Sequence, residues 1–106
     1  MEYINILDEQ LSLLDIYNKL NCYIERIKEE GNSGTVYIDK AMDFLKALSL
    51  SDARNEFKSD IIQAAIDLFR LINKYRPYFG KTDSDSVVMD FITFCKNFQI
   101  SRGIIP

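Results

Sequence analysis

The sequence predicts an all-α protein, a single-domain antiparallel four-helix bundle with up-down-up-down connectivity over residues 1–106. Three observations carry that prediction. Apolar residues recur at helical spacing through four segments. Only two prolines and four glycines punctuate the 106 residues, and they fall between those segments or after the last. No comparable stretch alternates with period two; Thr35-Val36-Tyr37-Ile38 is the only strand-like piece, and it is too short to stand alone.

The first helix is expected over about 4–30. Ile6, Leu13, Leu20 and Ile27 recur every seven residues. Ile16, Tyr17, Tyr23 and Ile24 fill the turns between them, and Leu7, Leu11 and Leu14 widen the stripe at its start. Gly31-Asn32-Ser33-Gly34 ends the helix, with Gly31 suited to a left-handed C-terminal cap. The second helix is expected over about 36–48 with Thr35 as its N-cap. Ile38, Ala41, Met42, Leu45 and Leu48 share one face, opposite Lys40, Asp43 and Lys46. Ser51 can cap the next helix.

The third helix is expected over about 52–76. From Ile61 to Ile72 it is apolar nearly all round, the pattern of a central helix packed by several neighbours. The residues before Ser59 are largely polar, so the helix either kinks or splits near Ser59; the sequence leaves both open. Pro77 ends it. The fourth helix is expected over about 85–101, with N-cap candidates in Thr82-Asp83-Ser84-Asp85-Ser86 and an inward stripe of Val88, Phe91, Ile92, Cys95 and Phe98. Gly103 is a stop signal, and Ile104-Ile105-Pro106 is expected to tuck against the bundle.

The chain contains no histidine. That removes the phosphorelay histidine, the haem ligand, the Glu-x-x-His di-iron motif, the His-activated nucleophile and the mixed Cys/His zinc site. Cys22 and Cys95 are read as two buried, reduced thiols, since no Cys-x-x-Cys spacing suggests redox or zinc chemistry. Asp83-Ser84-Asp85-Ser86 fails as a calcium loop: the third ligand position would be Val87, and the glycine and the final glutamate are missing. No glycine-rich phosphate loop or nucleophile elbow is present. No metal, no cofactor and no enzyme activity are therefore expected. No segment approaches the ~20 apolar residues of a membrane span, and the first residues lack a signal-peptide pattern, so a cytoplasmic protein is expected.

The candidate functional surface is Arg70, Lys74, Tyr75, Arg76, Tyr78, Phe79 and Lys81. Cations and aromatic rings crowd one helix end and the loop after it. Arginine and tyrosine are enriched at interaction hot spots, and the same residues could meet phosphate and stack on bases. The plainer reading is that the cations complement the helix dipole while Tyr75 and Phe79 plug the bundle end. Not every tyrosine among Tyr3, Tyr17, Tyr23 and Tyr37 can point fully inward, because each hydroxyl needs a partner. The size and helical layout resemble those of small bundle proteins such as bacteriocin immunity proteins and secretion chaperones; the likeness is one of architecture and transfers no residue. The expected function is a non-enzymatic protein-binding module that sequesters or scaffolds a protein partner. The alternatives are a small nucleic-acid-binding regulator using residues 70–81, which a net charge of −3 disfavours, and a structural homodimer built on the wide stripe of the first helix.

Overall fold

Ser12 decides where the first helix begins. Its hydroxyl accepts a hydrogen bond from the Asp15 backbone N–H at 3.1 Å, and the Asp15 carboxylate accepts from the Ser12 N–H at 3.0 Å. This reciprocal capping box holds Ser12 in extended backbone, so the helix cannot run further toward the N-terminus. In the computed structural model, which describes residues 3–101, the segment before Ser12 is therefore a hairpin and not helix. Strands β1 (Ile4–Ile6) and β2 (Glu9–Leu11) pair antiparallel, with Ile4 opposite Leu11 and Ile6 opposite Glu9. Ile6 and Leu11 enter the core. The expected helix over 4–30 is thus shortened to α1 (Leu13–Glu30).

The remaining elements are α2 (Thr35–Leu50), α3 (Ser59–Tyr75) and α4 (Ser86–Ser101), joined through 3-10 turns at Gly31–Ser33, Asp52–Glu56 and Asp83–Asp85. The fold is all-α apart from the hairpin. Gly31 takes φ 55 and ψ −132 at the end of α1: the φ is positive, but the ψ lies outside the left-handed helical region, so Gly31 is not the left-handed cap expected. Thr35 is the first residue of α2 rather than its cap; Gly34 holds the N-cap position. Ser51 caps the next turn, its hydroxyl accepting from the Ala53 N–H at 3.2 Å.

The third expected helix is split. Phe57 and Lys58 are extended, because Phe57 turns inward to meet the edge of Phe91 at 6.2 Å between ring centroids. Helical backbone through Phe57 would forfeit that contact. Beyond the break, α3 buries Ile61, Ile62, Ala64, Ala65, Ile66, Leu68, Phe69 and Ile72. Its charged residues and Gln63 form one stripe, Asp60, Gln63, Asp67, Arg70 and Lys74, spaced as one face of a helix.

Consecutive helices run in opposite directions. Arg26 stacks on Tyr37 and Tyr23 on Phe44 between α1 and α2; the Gln99 side-chain amide donates to Gln63 between α4 and α3. The most extensive helix pair, however, is α1 with α3. These two run parallel: Leu13 and Ile61 line one cavity at one end, Ile24 and Leu71 line one groove further along, and Gly31 faces Tyr75 at the other end.

Several local expectations change. Leu7 sits at the exposed hairpin tip and Leu11 in β2, so the wide leucine stripe does not exist on α1; of the three leucines, only Leu14 is on the helix, and it is exposed. Cys22 is exposed, not buried, while Cys95 is buried as expected, and burial pushes its thiol pKa up to about 12. Tyr17, Tyr23, Tyr37 and Tyr75 are half-buried against the core, whereas Tyr3 and Tyr78 are exposed. Residues Gly103 to Pro106, which carry the stop signal and the expected hydrophobic tail, lie outside the described residues.

The hairpin loop carries a testable strain. Both loop residues, Leu7 and Asp8, have positive φ, 51° and 65°, as a two-residue type I′ turn demands. A leucine there costs on the order of 1–2 kcal/mol relative to an ordinary conformation. Replacing the pair by Leu7→Asn with Asp8→Gly is expected to raise unfolding stability by about 1 kcal/mol, read from chemical denaturation. A loss of stability would mean that the Leu7 side chain contributes more than its backbone costs.

Candidate functional site

The seven candidate residues separate once they are placed on the structure. Phe79 belongs to the core: it is 2% exposed and tilts against Phe69 at 5.9 Å. It reaches there because Gly80, at φ 80, turns the chain tightly; a Cβ on Gly80 would sit 3.0 Å from Met89 Sδ and from Phe69 Cε1. Tyr75 is half-buried and its hydroxyl end lies against Gly31. Arg76 is held locally. One guanidinium nitrogen donates to the Tyr75 carbonyl at 3.2 Å, and another lies 3.9 Å from the Asp39 carboxylate. Four residues remain exposed: Arg70, Lys74, Tyr78 and Lys81.

Arg70 and Lys74 line an open groove between α1 and α3 of about 510 Å³. Asn21, Ile24 and Lys28 form the α1 wall; Asp67, Arg70, Leu71 and Lys74 form the α3 wall. The α3 residues follow from helical spacing, since 67, 70 and 74 lie on one face. Lys28 joins them only because α1 and α3 run parallel, which brings their C-terminal ends together. No pattern local to residues 70–81 could have found it. Lys74 lies over the Tyr75 ring at 5.6 Å, and Asp67 accepts from the Gln63 amide at 2.8 Å. Lys28 and Arg70 form no ion pair among the described residues. Tyr78 and Lys81 belong to the turn after α3, outside this groove.

A second polar group is structural. Asp85, 6% exposed, lies 2.8 Å from Lys46 Nζ through one carboxylate oxygen. The other oxygen accepts from the Thr82 hydroxyl at 2.9 Å and from the Gly80 N–H at 3.4 Å. Lys46, expected on the solvent face of α2, instead reaches across Phe79 at 5.8 Å to make this pair. The acidic turn expected to cap α4 therefore ties α2 to the α3–α4 turn. Among the described residues no three His, Cys, Asp or Glu side chains converge as metal ligands, and no helix is long and apolar enough to cross a membrane.

The Lys46 ammonium, with Thr82 and the Gly80 N–H adding to it, holds the Asp85 carboxyl below its ordinary value despite burial. A depressed folded-state pKa means that the stabilisation is complete above the unfolded value and is lost as pH falls through the folded one. Asp85→Ala is expected to cost about 2–3 kcal/mol at neutral pH, from the loss of charge-assisted hydrogen bonds. The gap between wild type and variant, measured by denaturation across pH, should close as the solution is acidified below about pH 4. A gap that persists unchanged under acid would show that the carboxylate charge contributes nothing.

Compared with family models, curated proteins and solved structures, the chain matches none.

Proposed function

We propose that this chain is a non-enzymatic protein-binding module that sequesters or scaffolds a protein partner through the end of α3 and the turn after it. The observation that carries this reading is the set of exposed residues Arg70, Lys74, Tyr78 and Lys81, with Tyr78 80% exposed. A tyrosine that exposed contributes almost nothing to the fold, yet it is among the residue types that contribute most to interfaces. Arg70 is likewise without an ion-pair partner among the described residues. Phe79 lies in the core beneath this surface, and Arg76 stands half-buried beside it.

The nucleic-acid reading draws on the same cations but fits less well. The chain carries a net charge of −3, so its overall field does not draw a phosphate backbone toward it. The homodimer reading loses its main argument once Leu7 and Leu11 leave the first helix.

Capture from native cell extract on the tagged chain, with and without nuclease, tests the proposal. A stoichiometric protein partner is expected that survives nuclease and is lost by about tenfold or more when Tyr78→Ala is combined with Lys81→Glu. Recovery of nucleic acid alone, or a partner held equally well by the variant, would overturn it.

A further inference from the structure

The α1–α3 groove has a charge pattern that the fold only partly requires. Parallel packing sets the two helix C-termini side by side, so two negative dipole ends meet. Lys28 and Lys74, in the last turns of α1 and α3, answer that charge. Arg70 does not: it stands a full turn before Lys74, and its neighbour Asp67 is engaged with Gln63 instead. Three cations thus border one groove against a single carboxylate, Asp67, in a protein that is acidic as a whole. Between them lies a narrow apolar strip, the half-buried Leu71 beside Ile24, which is itself only 8% exposed.

We infer that the α1–α3 groove docks an acidic amphipathic helix of a protein partner, with an apolar side chain on Leu71 and carboxylates against Lys28, Arg70 and Lys74. The inference rests on the protein-binding reading above and specifies its partner. Charge complementarity selects an acidic ligand, and the apolar strip between the cations selects one whose acidic residues flank a hydrophobic anchor. Arg70 and Lys74 are one helical turn apart, which matches carboxylates one turn apart on a facing helix. A fully extended acidic chain would space its carboxylates differently and would leave Leu71 uncovered.

The experiment is an NMR titration of the isotope-labelled full chain with a synthetic peptide of roughly 20 residues, past the length at which isolated helices are marginal, carrying leucine on one face and glutamate on its flanks. Two further probes are the same peptide with serine in place of leucine, and a single-stranded oligonucleotide. Saturable shifts are expected at Asn21, Ile24, Lys28, Arg70, Leu71 and Lys74. The affinity should fall by about tenfold or more for Arg70→Glu/Lys74→Glu, whose spectrum elsewhere stays that of the wild type, and for the serine peptide. Four outcomes would overturn the inference: shifts confined to another surface, equal affinity for the charge-reversed variant, tighter binding of the oligonucleotide at the same residues, or concentration-dependent shifts there in the chain alone, which would assign the groove to a second copy. The two proposals fail separately. A partner captured from extract that ignores Arg70→Glu/Lys74→Glu removes the groove and leaves protein binding standing; capture of no protein at all removes protein binding itself.

Discussion

Everything else in this structure is arranged around the parallel contact between α1 and α3. The cause lies in α3, whose apolar residues leave only the stripe from Asp60 to Lys74 fit for water. A helix of that kind must be covered on most of its circumference, and here the chain's own other helices cover it. α1 supplies the longest matching face, burying Ile16, Leu20, Ile24 and Ile27. Because α2 returns the chain between them, the two helices that fit best run in the same direction. The charges are arranged to match. Asp15 and Asp60 lie in the first turns, Lys28 and Lys74 in the last, each opposing the partial charge of its helix end. The groove beside this contact is consequently acidic toward one end and basic toward the other.

The irregular pieces close the ends of this core. The hairpin folds Ile6 and Leu11 inward where α1 alone would leave a gap, at the expense of positive φ at Leu7 and Asp8. Phe57 breaks the chain before α3 in order to reach Phe91. Phe79 fills the opposite region behind Gly80, and the Lys46–Asp85 pair spans it. Asp85 is a buried carboxylate, and its three partners account for its burial: they replace the water that it gave up.

Most of the helical layout was legible from spacing alone, because α2 and the apolar core of α3 repeat with unbroken helical period. The first eleven residues misled for a physical reason: Ile4, Leu7, Leu11 and Leu14 also satisfy helical spacing. The deciding signal was the Ser12–Asp15 capping box, a four-residue motif inside an apolar pattern. The break at Phe57 was signalled only as a change of polarity, since nothing local says that its ring would meet Phe91 in the fourth helix. The candidate surface divided along the same line. Exposure of Arg70 and Lys74 followed from the helix face they share. The burial of Phe79, the inward reach of Lys46 and the arrival of Lys28 beside Arg70 all depend on which helices become neighbours, and that information is tertiary.

The central claim is that α1 and α3 lie side by side in parallel, and through-space magnetisation transfer between protons tests it without any substitution. The account predicts cross-relaxation between the Tyr75 ring and the Gly31 α-protons, and between the Ile24 and Leu71 methyl groups. Cross-relaxation between the Tyr75 ring and Leu13, with none to Gly31, would reverse the direction of the pair, dissolve the basic groove, and contradict the account.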